Sequence, residues 1–477
     1  MQRQLPTNPL HMTLVEAADA IRRGEITAVA LTQASIAAFK TKDAPLNSLI
    51  SLDADAAVEA AEGLDRLRNA GRLLGPLHGV PLAHKDMYYR AGKPCTAGSK
   101  IRTDFVPSYT STALERLETA GSITVAMLNM AEFAQNPTGH NAHFGDCHNP
   151  WDVAHCPGGS SSGSGAAVGA RFVFGALGSD TGGSIRLPAA MCGVTGIKGT
   201  QTRVSRYGAM PLSFSADNVG PLARTARDCA RLLGVIAGHD PKDATSAREP
   251  VPDYERALDG NIKGLRIGVP TTYFFDDADD MIVAAIEKAV SVLKEAGAEV
   301  VQLPLPHMDA VSTYGSIISR SEAAAIHGEW MRRRAGDYAV HLSARIYSGM
   351  AVPAAYYIEA LSRRGPILKA FCKDVFEKVD VFVAPTLRMP VPTLSETDID
   401  QRGVPAIDAF NAVSINTRAI NYLGLPSVSV PCGFDGNGLP IGLMIQGRPF
   451  AEGRILKVAD AYQRVTDWHE QRPATAA

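Results

Sequence analysis

No stretch of eighteen or more apolar residues occurs in this chain, so nothing in it is long enough to cross a bilayer as a helix. Its first twenty residues, MQRQLPTNPLHMTLVEAADA, lack the apolar core of a secretory signal, and no membrane partner is expected. Charge of one sign is missing too: 47 Lys and Arg against 49 Asp and Glu leave a net charge of -2. That balance gives no electrostatic footprint for nucleic acid, and none is expected as a partner. The seven cysteines, at 95, 147, 156, 192, 229, 372 and 432, are odd in number and never form a C-x-x-C pair. A disulfide framework and a thiolate zinc site are both disfavoured, and a reducing cytoplasm fits best. Walker A, H-E-x-x-H and G-x-G-x-x-G sequences are absent, as is any repeat of solenoid period. Neither a cofactor nor a metal is therefore expected.

What the chain does have is a concentration of small residues between Gly158 and Ala189, GGSSSGSGAAVGARFVFGALGSDTGGSIRLPA. Two Gly/Ser clusters flank an apolar segment that calls for burial, which argues against a solvated linker. Glycine turns bring backbone N–H groups close to a ligand and form a concavity for an anion or oxyanion. Ser184 ends the second cluster, where a nucleophile would be useful.

Other catalytic patterns compete. Gly159-Ser-Ser161-Ser-Gly163 fits the nucleophile elbow G-x-S-x-G, but Cys156-Pro-Gly158 is a poor strand end to precede it. Ser291-Val-Leu-Lys294 fits S-x-x-K, yet lies within a helical stripe and reads as an accident. His140 and His143, with Cys147 and His148 nearby, offer no third ligand at a convincing spacing, and read better as a loop lining a site.

The Gly158–Ala189 stretch resembles the amidase signature of a family of serine hydrolases that cleave C–N amide bonds. The Gly/Ser-rich first block, the Asp180-Thr-Gly-Gly-Ser184 second block and the following Ile-Arg-Leu-Pro all match it. By that resemblance, Ser184 is the nucleophile, Ser160 the serine of a cis peptide, and Lys85 in HGVPLAHKDMYY the general base acting through Ser160. Thr181, Gly182 and Gly183, with Ser184, would form the oxyanion hole, while Ser161, Asp180 and Arg186 would support the loop. A base must be uncharged, and the apolar Val80, Leu82 and Ala83 lead directly to Lys85. Burial and a depressed pKa are therefore expected for it.

The resemblance runs over most of residues 10–470 and is weakest between 300 and 415. It departs from the pattern at Met87, at Met127-Leu128 and at Gly199. These departures favour a stand-alone amidase over the alternative, the glutaminase subunit of a tRNA-dependent amidotransferase. A catalytically silent binding protein on the same fold is a third reading. A small amide is expected as substrate, aryl or apolar because Phe133 and Phe144 lie near the motif. A homodimer is left open.

Length alone points to about three units of ~150 residues. The resemblance implies instead one α/β domain over 1–477, with a large mixed sheet covered by helices on both faces. Within it, helices fill about 10–70, the motif-bearing core 75–250, a helical substrate-side insertion 305–375, and C-terminal strands and a helix 376–470. Local signals agree with this. Thr13-Leu-Val-Glu16 reads as a capping box, and helices are expected from Thr27, over 53–70 and over 110–120. Strand, helix and strand at 265–269, 281–297 and 299–303 predict a parallel crossover. Tyr314, Trp330, Tyr347, Tyr356 and Tyr357 read mostly as core, and Pro385–Ala406, with four prolines, as an irregular loop and candidate lid.

Overall fold

Eleven strands form one mixed sheet in the computed structural model, which describes residues 5–476. They are β1 (Leu49–Leu52), β2 (Pro81–Lys85), β3 (Ile123–Leu128), β4 (Gly175–Asp180), β5 (Thr195–Lys198) and β6 (Asn218–Ala223). The remainder are β7 (Arg266–Pro270), β8 (Glu299–Leu303), β9 (Val381–Pro385), β10 (Ser427–Phe434) and β11 (Pro440–Gly447). Their spatial order is β1-β3-β2-β4-β6-β5-β10-β11-β9-β7-β8. Parallel pairing groups β3, β2 and β4 on one side, and β8, β7 and β9 on the other. The strands between these groups are antiparallel, so β10, from the end of the chain, joins β5 to β11.

The two-residue side-chain period of a strand explains how both faces come to be covered. Leu82 and Leu177 enter one core with Val381 and Val383, while Ala83 and Ala176 enter a second and Phe382 and Ala384 a third. The central strands are buried along their whole length, as a sheet with helices on both sides requires.

Local chemistry sets several helix boundaries. Thr13 and Glu16 form the reciprocal capping box, and Gly24, at φ 74°, ends the helix Leu14–Arg23. Thr27 caps Ala28–Lys42 through the Ala30 N–H. The helix Ala28–Lys42 packs on Ala54–Asn69 and on β2 and β3.

Two expectations change. Residues 385–406 are not an irregular loop: short helices occupy Leu394–Thr397, Ile399–Arg402 and Val404–Ala412. Thr393 and Glu396 form a second capping box there, and Pro405 sits in a first helical turn, where its missing N–H costs nothing. The aromatics of the helical insertion are not mostly core either. Tyr347 and Tyr356 are exposed, and Tyr314, Trp330 and Tyr357 are half-buried. Among the described residues, no helix is long and apolar enough to cross a membrane.

Candidate active site

Lys85 is the last residue of β2, one of the fully buried strands. With no exposure to solvent, its Nζ donates hydrogen bonds to Ser160 Oγ at 2.7 Å and to Ser179 Oγ at 2.9 Å. Burial pulls its pKa down to about 7, against an opposing pull from the carboxylates of Asp217 and Asp180. A lysine so placed is part neutral near pH 7, which an amine must be to accept a proton.

Ser160 follows a cis peptide bond at Gly159 and precedes the helix Ser162–Gly169. Ser161 Oγ accepts from the Ser179 N–H at 3.2 Å and donates to the Ser179 carbonyl at 3.3 Å, fixing this segment against β4. The contact depends on Gly178, where a Cβ would lie 2.7 Å from Ser161 Oγ. No strand runs directly into Gly159, so the nucleophile-elbow geometry is missing.

Beyond β4 the chain turns through Thr181-Gly-Gly-Ser184 into the helix Arg186–Met191. Asp180 organises that turn. Its carboxylate accepts from the Gly183 N–H at 2.8 Å and the Ile185 N–H at 3.2 Å, and pairs with the buried Arg186 guanidinium at 3.0 Å. Burial would raise the Asp180 pKa, but the Arg186 charge and hydrogen bonds override it and hold the carboxyl at about 2. Arg186 is tied further to the Thr417 carbonyl at 3.0 Å and Asn421 Oδ1 at 2.6 Å, and Asn421 Nδ2 donates to Asp180 Oδ1 at 2.8 Å. Thr181 Oγ1 donates to Asp217 at 2.5 Å, and Thr417 Oγ1 to the Gly182 carbonyl at 2.5 Å.

Ser184 is half-buried and lines a cavity of about 60 Å³ with Thr181, Gly182, Gln135, Leu187 and Phe410. Three arginines, Arg320, Arg345 and Arg418, also line it. Phe133 is absent from the lining; it sits in an aromatic cluster with His327, Trp330 and Tyr338. Phe144 is absent as well, so the two rings behind an aryl-amide expectation do not face this cavity.

The histidine loop is engaged otherwise. His140 sits between Asp146 at 2.8 Å and Thr397 at 3.0 Å, and His143 bonds Glu132 at 2.9 Å. Ser291 donates to a carbonyl within its own helix at 2.9 Å, remote from any catalytic partner. Sequence reasoning missed Ser179, Asp217, Thr417 and the three arginines. Thr417 and Asn421 lie on a helix (Ile415–Leu423), 231 and 235 positions beyond Arg186, and nothing local marks them.

A mixed sheet that sets a buried lysine behind a glycine–serine turn is the framework of enzymes that hydrolyse carboxamides. The chain belongs to the amidase family, whose model, described as Amidase, matches residues 30–456. It is 42% identical to a glutamyl-tRNA(Gln) amidotransferase subunit from Chloroflexus aurantiacus, covering 97% of this chain and 98% of that protein. Among solved structures it is similar to the native peptide amidase of Stenotrophomonas maltophilia, with TM-score 0.83 and 31% identity over 97% of this chain and 98% of the other. It also resembles the corresponding glutamyl-tRNA(Gln) amidotransferase subunit from Thermotoga maritima, with TM-score 0.80 and 29% identity over 97% of both chains. The expectation of a stand-alone enzyme with no nucleic-acid partner is thereby corrected. Relatives matching over nearly the full length are named as subunits of an enzyme of glutamyl-tRNA(Gln). Near-neutral net charge is no argument against such a partner, because a whole-chain sum does not record where on the surface the charges sit.

Proposed function

We propose that this chain is the amide-hydrolysing subunit of an amidotransferase acting on glutamyl-tRNA(Gln), releasing ammonia from a donor amide such as glutamine. The 42% identity across 97% of the chain supports the assembly. The Lys85–Ser160 hydrogen bond beside the Ser184 turn carries the chemistry.

Ser184 Oγ attacks the carboxamide carbon while its proton passes to Ser160 Oγ, and Ser160 passes its own to neutral Lys85 Nζ. A hydroxyl can give one proton and take another in the same step. The oxyanion meets backbone N–H groups of the turn. Gly183 donates to Asp180, so Thr181, Gly182 and Ser184 supply the donors and Gly183 contributes shape. Lys85 returns the proton through Ser160 to the departing nitrogen, ammonia leaves, and water releases the acid from the Ser184 ester. Ser161, Asp180 and Arg186 hold the turn and touch no reacting atom. We read residues 1–477 as one unit, since β10 joins the two groups of strands, and the scattered free cysteines favour the cytoplasm.

The test is ammonia release from L-glutamine by the chain alone and with its partner subunits, with and without glutamyl-tRNA(Gln). Release should rise in the assembly and vanish in Ser184→Ala. Undiminished release by Ser184→Ala would remove the nucleophile, and indifference to the assembly would remove the amidotransferase reading.

A further inference from the structure

Arg320, Arg345 and Arg418 reach the cavity that holds Ser184 from three separate elements. Arg320 comes from the helix Met308–Arg334, Arg345 from Val340–Met350 and Arg418 from Ile415–Leu423. Among the described residues, none of them pairs with a carboxylate within 4 Å. Arg418 donates only to Ser414 Oγ at 2.8 Å, the Asn411 carbonyl at 3.2 Å and Ser316 Oγ at 3.4 Å. The buried Nε atoms of Arg320 and Arg345 have no acceptor at all. Arg320 and Arg418 also border an adjoining cavity of about 290 Å³ with Ser312 and Ser316, so there is room beyond the serine for an extended molecule. Neither cavity has an aspartate or glutamate in its lining.

Such a cluster is costly unless something negative enters it. The three side chains are half-buried, and three like charges converging on one space with no carboxylate among them repel. The cost shows at Arg345, where burial and the charges of Arg320 and Arg418 together pull the guanidinium down to about 9. Guanidinium groups are suited to bidentate carboxylate recognition. An ammonium in the same space would meet three cations and no carboxylate.

We propose that the donor amide is a net-negative acid amide, a monoamide of a di- or tricarboxylic acid that carries no ammonium group, held by its carboxylate on Arg320, Arg345 and Arg418. This rests on the reading of Ser184 as nucleophile and narrows the donor from glutamine, whose ammonium cancels its charge, to compounds of the glutaramate type. Neutral and aryl amides of equal length lack the group the arginines hold.

The binding test uses the Ser184→Ala variant, so turnover does not enter. Titration calorimetry should give glutaramate a Kd at least tenfold lower than L-glutamine or pentanamide. Arg345→Gln in that background should weaken glutaramate by about 10- to 100-fold, the range for one charge-assisted hydrogen bond, and leave pentanamide unchanged. Arg345→Gln without ligand should melt no lower than its parent, because a repulsive charge has been removed. Glutamine binding as tightly as glutaramate, or an equal loss for every amide on Arg345→Gln, overturns the proposal. So does a lowered melting temperature with unaltered selectivity, which would make Arg345 structural. The reading of Ser184 is judged separately, by whether Ser184→Ala stops hydrolysis of whichever amide the unaltered chain turns over best.

Discussion

Lys85 shows what one buried amine costs and what it makes available. An ordinary lysine is protonated until about pH 10.5, whereas this one changes state near pH 7 because it has lost its water. Two outcomes follow from the same shift. As a base it must be neutral, so kcat/KM should climb through an apparent pKa near 7 and flatten above it. A profile flat from pH 5 to 9 would rule the lysine out. For stability, the folded pKa lies below the unfolded one, so the unfolded chain binds more protons between about pH 7 and 10.5. Stability from this group is fully present above pH 10.5 and lost as pH falls through about 7. Lys85→Met should therefore raise the melting temperature at pH 6 while abolishing activity, an outcome read by calorimetry beside an assay. Asp180 is the opposite case. Its pairing with Arg186 is wholly buried, and Asp180→Asn strands the guanidinium, with an expected loss of about 3–5 kcal/mol in denaturant unfolding.

At the scale of the element, the turn after β4 is held by its neighbours more than by its own residues. Gly183 adopts φ +132°, and a Cβ there would overlap Thr417 Oγ1 and lie 2.8 Å from Thr417 Cβ. Gly183→Ala should lower kcat at least about 100-fold, the scale of a lost oxyanion donor, because the turn must shift away from its helix. Cooperative melting should survive, and an alanine variant with full kcat would show that the turn tolerates displacement. The sequence made much of this region legible. The Gly/Ser clusters, the small apolar helix between them and the apolar approach to Lys85 are all local signals. The arginines of the cavity were not legible, since they come from three separate helices and no local pattern marks any of them.

Across the whole molecule, the sheet is closed by a strand from near the chain's end. β10 pairs with β5 on one side and β11 on the other. A chain ending at Leu425 loses both β10 and β11, opening the buried flanks of β5 and β9 to water. It should show no cooperative melting transition, and a cooperative melt in that truncated chain would mean that the parallel group β3-β2-β4 folds by itself. The first part of the chain thus builds the strands around Lys85 and Ser184, and the last part supplies the strands that link them to the rest of the sheet.

Periodicity, capping residues and glycine placement are short-range properties, and they determined the secondary elements, the burial of Lys85 and the motif around Ser184. Pro385–Ala406 marks their limit: prolines predicted a loop, yet a capping box and a proline in a first helical turn allowed short helices. Only the tertiary structure decided that Ser179 shares Lys85 with Ser160, that Thr417 and Asn421 brace the turn, and that three arginines line one cavity with the serine. Those contacts join residues far apart in sequence, and their energies come from burial and charge in a shared space, which no local pattern records.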